Sequence, residues 1–348
     1  MTDLQRFISV IFQRVSNRYK KRGEYSVTDH RVMSYGTKPT KATSMRNRNL
    51  FAVTFFLISQ VINAKSDVQL SASYWEKSIK KIAASSVQIT GDEGKSKTIS
   101  CSEFYLQQCE ISNREYLYYL SKLWLTGDSV RYQNALPDTL VWRDKLAYNE
   151  PYVEYYFRHP AYSNYPVVGV SYTQALHFCE WLTASYNSDS KRKFKEVKFS
   201  LPAEDEWMIA AMGKLQNAIF PWGGPYIRNS KGLILANCVM FLEAAMKPAT
   251  CSDGSAFQYQ AQVLNSIMPA FDYADVTAPV KSYFPNGYDL YCMSGNVEEF
   301  VMEEGISKGG SWRDVPYFLR IATSEKYTAD HSSSAERGFR VKMTVIQN

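Results

Sequence analysis

No two of the six cysteines stand in a Cys-x-x-Cys pair, so the spacing that builds a tetrahedral zinc site is missing. The apolar run from Leu50 to Ile62 is broken by Thr54, Ser59 and Gln60 and falls short of the roughly 20 residues that span a bilayer. No cysteine directly follows that run, which removes the lipid-attachment site of a lipoprotein. Histidine is scarce: His30, His159, His177 and His331 are all there are. A basic folded body is missing too, although the chain's formal charge is +6. Residues 1–64 hold 11 Lys and Arg against 3 acidic residues, and the remainder, 65–348, therefore sums to −2. Nucleic-acid binding loses its main electrostatic support.

What is present begins with an export signal. Met45-Arg-Asn-Arg-Asn49 is a short basic segment, Leu50 to Ile62 is the apolar core, and Ala64 is a small residue suited to a cleavage site. The pattern predicts a signal peptide over 45–64, with a single retained anchor as the alternative. Residues 1–44 are then a disordered basic leader, or lie upstream of a true start at Met45. Export places the rest in the periplasm or at the outer-membrane periphery, with membrane association through partners or an uncleaved signal. In that oxidising setting the cysteines can be bridged, Cys238 with Cys251 being the nearest plausible pair, or can be buried free thiols.

Along the mature chain, residues 65–102 read as a polar lead-in. Trp75, Ile79 and Ile82 at helical spacing predict a helix over Tyr74 to Ala84. Phe104 to Asn113 reads as a strand ending in a cap, where Ser112 or Asn113 opens a helix that buries Tyr116, Leu117, Leu120 and Leu123. Ala135 to Tyr165 is aromatic-rich and without periodicity, a long loop that is either functional or held down by its own side chains. Pro166-Val-Val-Gly-Val-Ser171 predicts a short strand and a Ser cap ahead of a helix from Tyr172 to Ala184. Leu201-Pro-Ala-Glu-Asp-Glu-Trp207 puts acids in a first helical turn, where the dipole favours them. Asn286-Gly287 and Ser294-Gly295-Asn296 are turns, because Gly and Asn tolerate positive φ, and short strands fit between and after them.

Three motifs in order, Gly295-Asn-Val-Glu-Glu-Phe300, Gly309-Gly-Ser-Trp312 and Gly338-Phe-Arg340, closely resemble the signature of the formylglycine-generating-enzyme, or sulfatase-modifying factor, family. Phe104 to Asn113, Pro166 to Ser171, Leu201 to Trp207, Phe220-Pro-Trp-Gly223, Ala236-Asn237 and Thr277-Ala-Pro-Val280 continue the likeness, so a domain over 103–348 is similar to it. The resemblance implies an α+β fold, a variant of the C-type-lectin fold rich in loops, with short antiparallel strands and a few helices. Trp142-Arg-x-x-Leu-x-Tyr-Asn149 and Arg158-His-Pro-Ala-Tyr162 resemble the branch of gliding-motility-associated lipoproteins of type IX secretion. That branch implies partners among envelope proteins of a secretion or motility complex.

Catalytic members carry two copper-binding cysteines shortly after Gly-Gly-Ser-Trp; here those positions hold Asp314 and Leu319. An aliphatic side chain cannot bind copper, and a lone carboxylate suits harder metals. The resemblance therefore implies a non-catalytic structural or binding component. The alternatives are a sulfur oxidase with an unconventional site, including a histidine-held iron centre, and a glycan-binding module built on the 25 tyrosines. The likeness also implies structural Ca²⁺, by motif position through Asn237 and Asp272 at one site and Gly295, Val297 and Glu299 at another, the latter Gly and Val through their carbonyls. Surface acids or strand-end acids are the competing reading of the same residues.

Overall fold

The structure is a computed structural model that describes residues 70–91, 94–144, 149–239, 246–249, 258–261, 274, 276–328 and 332–348. Every described residue belongs to one compact unit, Ser66–Asn348. The leader and signal over 1–64, and with them His30, Cys251, Asp272 and His331, lie outside the described residues.

The chain opens with helix α1 (Ala72–Ser78), strand β1 (Ile79–Ile82) and a hairpin of β2 (Ser85–Thr90) and β3 (Ser96–Cys101). The helix predicted over Tyr74 to Ala84 thus stops at Ser78. Ile79 and Ile82 fit a strand as well as a helix face, and pairing with β4 (Phe104–Gln107) decides between them, from Ile79 opposite Gln107 to Ile82 opposite Phe104. That pairing makes the polar lead-in an integral part of the main sheet, whose order is β1-β4-β12-β5, with β5 (Glu196–Ser200) and β12 (Lys342–Gln347).

Two helices pack on this sheet, and both start where local chemistry says they should. Ser112 caps α2 (Asn113–Leu125) in a reciprocal capping box with Glu115, and Ser171 caps α5 (Tyr172–Ser188) in another with Gln174. Their inner faces meet through stacked Tyr116 and Phe178, whose ring centres are 5.7 Å apart. Trp75, Tyr119 and Phe339 close around Phe178.

The run Pro166 to Ser171 is not a strand. Only a single bridge joins Pro166 to Ser112, because the backbone turns at Gly169 (φ 72°), whose missing Cβ leaves room for the Asp138 carbonyl. Nor is Ala135 to Tyr165 a bare loop. It follows α3 (Ser129–Asn134) and holds a 3-10 turn over Thr139–Trp142, α4 (Glu150–Tyr155) and a further 3-10 turn over Pro160–Tyr162. Trp142, Val153 and Tyr156 form a small apolar core there with Val168, Val297 and Ala335.

The second sheet has the order β10-β9-β8-β11 and is built from very short strands: β8 (Glu298–Phe300), β9 (Ile306–Lys308), β10 (Ser324–Lys326) and β11 (Arg337–Gly338). β11 runs parallel to β8, which sets Arg337 opposite Glu298 and Gly338 opposite Glu299. Helix α6 (Glu204–Met212) carries Glu204, Asp205 and Glu206 in its first turn, as expected, and ends at Gly213 with φ 61°. A separate ribbon pairs β6 (Met246–Ala249) with β7 (Gln258–Ala261). These elements confirm the mixed α+β class with short, mostly antiparallel strands.

The Asn286-Gly287 turn forms, but positive φ at Gly287 is not the reason. Asn286 Nδ2 donates to the Ala210 and Ala211 carbonyls at the end of α6 (2.8 and 3.1 Å). This pulls Gly287 so close that a Cβ there would lie 2.0 Å from the Gly213 carbonyl oxygen. Gly287→Ala must therefore shift two backbones apart. We expect it to cost about 1–3 kcal/mol, the range for forced overpacking, read as a lower midpoint in urea denaturation with unchanged slope.

Candidate functional site

The acidic pair after Gly295-Asn296-Val297 is split between two arginines of the C-terminal motif. Arg340 is fully buried and grips Glu299, with Nε at 2.9 and 2.7 Å from the two carboxylate oxygens and Nη2 at 2.6 Å from Oε1. Its remaining donors reach the carbonyls of Gln107, Gln108 and Tyr291. Trp207 Nε1 donates to Glu299 Oε2 at 2.8 Å. Burial alone would make Arg340 release its proton more easily, but the charge and hydrogen bonds of Glu299 hold the guanidinium above its ordinary range. Beside it, Arg337 Nη2 donates to Glu298 Oε1 at 2.8 Å, and Ser307 Oγ donates to the other oxygen. Burial pushes the Glu298 carboxyl up, and Arg337 pulls it back.

This arrangement bears on Glu299, expected by motif position as a calcium ligand. Both of its oxygens are occupied by a guanidinium and an indole, and the pair is already neutral, so the residues at that position do not fit a divalent cation. Gly295 and Asn237 do meet, but through backbone: a Cβ on Gly295 would lie 2.3 Å from the Asn237 carbonyl oxygen, and Asn296 N donates to that oxygen. Asn237 Nδ2 donates to the Val276 carbonyl at 2.7 Å, while Val297 sends its side chain into the apolar core around Trp142. Among the described residues no three His, Cys, Asp or Glu side chains are grouped to hold a metal ion. His177 is exposed on α5, and His159 uses Nδ1 to accept from Ala161 N ahead of a 3-10 turn.

The loop after Gly-Gly-Ser-Trp is closed by its own residues. Asp314 Oδ2 accepts from Ser311 N and Oγ at 2.8 and 2.6 Å, which ties the carboxylate to the turn it sits on. Leu319 is fully buried with Phe220, Ile227 and Ala236, and a Cβ on Gly310 would press its Cδ1 at 2.8 Å. Cys109, Cys179 and Cys292 are buried free thiols and Cys101 is a half-buried one, which settles the cysteine alternatives for these four. Burial pushes the Cys109 thiol up to about 12, so it is a poor nucleophile.

Beside this loop lies an aromatic cluster in which Trp142 and Tyr156 are buried and Tyr152, Tyr162 and Tyr165 half-buried. Trp312 stacks on Trp142 with centres 6.0 Å apart, and Tyr156, Tyr162 and Tyr165 continue the ring contacts. Asn113 Nδ2 fixes the segment by donating to the Tyr156 and Tyr162 carbonyls. A cavity of about 350 Å³ opens beside it, between Tyr152, Tyr162, Tyr165, Thr277 and Ser282. The aromatic density was visible in the sequence. The arginine partners of the two glutamates were not, because 39 and 41 residues separate donor from acceptor.

The domain family described as sulfatase-modifying factor enzyme 1-like matches residues 78–345. The formylglycine-generating enzyme of Mus musculus is 26% identical over 291 residues, covering 71% of this chain and 68% of that protein. That of Thermomonospora curvata is 25% identical, over 60% of this chain and 62% of its own length. The inactive Cα-formylglycine-generating enzyme 2 of Bos taurus is 27% identical, over 51% of this chain and 49% of its own. Among solved structures, Treponema denticola variable protein 1 superposes with a TM-score of 0.49 at 15% identity, over 76% of this chain and 94% of that one. PvdO from Pseudomonas aeruginosa does so with a TM-score of 0.49 at 19%, over 76% and 93%.

Two outcomes are expected from the buried charges. Arg340→Leu strands a fully buried Glu299 without its counter-charge and should cost about 3–5 kcal/mol in chemical denaturation. The double variant Arg340→Leu/Glu299→Leu should recover part of that loss, and strict additivity would contradict the coupling. The second concerns Glu325, whose carboxyl is pushed up to about 8 by burial first and then by the charges of Glu298 and Asp314. The folded state holds this proton more tightly than the unfolded chain, so its contribution is complete below the ordinary carboxyl range and is lost as pH rises through about 8. Wild type should lose stability relative to Glu325→Gln between about pH 5 and about pH 9; parallel pH profiles would contradict it.

Proposed function

Because the chain belongs to the sulfatase-modifying factor enzyme 1-like family, we propose that it is a non-catalytic binding and structural component of the cell envelope. The observation that carries this reading is the state of the two positions where catalytic relatives hold their copper thiols. Asp314 is tied into its own turn, and Leu319 is sealed in an apolar cluster. Neither offers a soft ligand, and repacking Leu319 outward would expose the core it fills. The family contains a relative whose name states that it is inactive, so the scaffold is compatible with lost chemistry.

Binding is supported by the aromatic residues packed beside this loop. Tyr and Trp give large rigid contact area at low entropic cost, and here they are concentrated on one segment, Thr139 to Tyr165, held against Trp312. The same segment carries the two runs that resemble the gliding-motility branch. We therefore assign the partner class as envelope proteins of a type IX secretion or motility assembly, with the chain exported to the periplasm. Among the described residues no helix is long and apolar enough to cross a membrane, so attachment is assigned to partners or to the amino-terminal run.

Incubating the purified protein aerobically with copper or iron and a Cys-Thr-Pro-Ser-Arg peptide should yield no aldehyde by mass spectrometry; aldehyde above the metal-only control would overturn the non-catalytic reading. Affinity capture from solubilised envelope membranes should recover lipoproteins of the secretion machine. A Tyr155→Ala variant, at an exposed position on α4, should weaken that capture while keeping its melting cooperativity, and undiminished capture would remove this aromatic segment from the proposal.

A further inference from the structure

The cavity of about 350 Å³ beside the aromatic cluster falls within the size range of small-molecule sites, and none of the described residues lining it carries a charge. Tyr152, Tyr162 and Tyr165 line it as half-buried rings, and Thr277, Ser282 and Tyr283 line it from a second stretch of chain. Among the described residues no partner reaches the hydroxyls of Tyr162, Tyr165 and Ser282, and none of these three oxygens is sealed from solvent. Each can both donate and accept. The Thr277 hydroxyl, by contrast, is already taken by Tyr156 Oη at 2.8 Å. The backbone that carries the open hydroxyls is pinned. Asn113 Nδ2 donates to the Tyr162 carbonyl at 3.0 Å, Asn113 N to the Tyr165 carbonyl at 2.9 Å, and Ser282 N to the Pro279 carbonyl at 2.9 Å. Val280 N ties the two stretches together by donating to the Asn164 carbonyl at 2.8 Å. Tyr283 is held at φ 61°, in the left-handed region that a bulky side chain occupies only at a cost, as residues at ligand sites often do.

These features select a ligand by its chemistry. An uncharged lining offers no counter-charge, so an ion entering it loses its water without a replacement. A quaternary ammonium is drawn to aromatic faces but leaves the three hydroxyls unpaired once their water is displaced, and so does a purely apolar molecule. A sugar ring answers both features: its hydroxyls donate and accept around the rim, and the C–H bonds of its face lie against an aromatic ring. Hydroxyls already fixed on a pinned backbone also lower the ordering cost of binding. We infer that this cavity binds one uncharged pyranose residue of a glycan, its face against a tyrosine ring and its hydroxyls exchanging hydrogen bonds with Tyr162, Tyr165 and Ser282. This site goes beyond the protein partners assigned above and does not depend on them.

The test applies the purified chain to an array of neutral, sialylated, uronate-bearing and sulfated glycans, followed by calorimetric titration of the best neutral binder. At least one neutral glycan should be retained. Tyr165→Phe and Ser282→Ala each delete one hydroxyl and keep the packing, and each should weaken that glycan about two- to tenfold, the range of one neutral hydrogen bond, with an unchanged urea midpoint. Tyr155→Ala, which lies outside the cavity lining, should bind the glycan as wild type does, so loss of the protein-partner reading and loss of the saccharide site are told apart. Retention of no neutral glycan would overturn the inference. So would binding confined to the charged glycans, or hydroxyl-deletion variants indistinguishable from wild type.

Discussion

A single buried guanidinium decides how the distant parts of this chain are joined. Arg340 touches Glu299 from β8, the carbonyls of Gln107 and Gln108 at the end of β4, and the Tyr291 carbonyl in the loop ahead of β8. Through Glu299 it also holds Trp207 of α6. Taking both charges out of water costs several kcal/mol per ion, and only full hydrogen-bond satisfaction makes the pair tolerable. Here every guanidinium nitrogen has an acceptor. The motifs that look like separate family marks in the sequence, Leu201 to Trp207, Gly295 to Phe300 and Gly338 to Arg340, are therefore one object in space.

Under the proposed non-catalytic reading, this dependence is what lets the scaffold outlive its chemistry. None of the atoms that satisfy Arg340 belongs to the loop containing Asp314 and Leu319. Replacing thiols there alters a turn and a small satellite cluster, while the hub and the helix-on-sheet core stay as they are. The loop could then take up new work, and the stacking of Trp312 on Trp142 joins it to the aromatic segment. Fold and site are energetically separable in this chain, which is why family membership alone could not fix its function.

How much of this was legible depends on how local each interaction is. The caps at Ser112 and Ser171 could be read directly, because donor and acceptor lie three residues apart. The acids at the start of α6 are similar. Ile79 to Ile82 was misread as helix because its apolar spacing serves either period, and only the β4 partner chooses. Pro166 to Ser171 has strand composition, but Gly169 must give way to the Asp138 carbonyl, a neighbour invisible in linear order. Glu299 looked like an open oxygen ligand for the same reason: its counter-ion is supplied from far along the chain. A hint was nonetheless present, since Arg340 sits between Phe339 and Val341 in a run otherwise suited to burial, and a lone charge there requires a partner.

The hub also leaves one quantity unbalanced. Two buried carboxyls, Glu299 and Glu110, face one guanidinium, and Glu299 accepts from its Nε and Nη2 while the other donors go to carbonyls. Glu110 accepts from Asn296 Nδ2 at 2.9 Å, and its burial lifts the carboxyl up to about 8 despite Arg340. A carboxyl in that position keeps its proton at neutral pH unless a second positive group approaches it. Asn296, held at φ 70° and tied to both the N and O of Ala278, fixes the carboxyl's orientation but supplies no charge. The fold thus satisfies its central ion pair completely and leaves the neighbouring carboxyl to be kept neutral by its own proton. With the guanidinium saturated by Glu299 and three carbonyls, a second charge beside it has nothing left to pair with, so the same interaction that joins the motifs also decides that Glu110 is buried as an acid and not as a carboxylate.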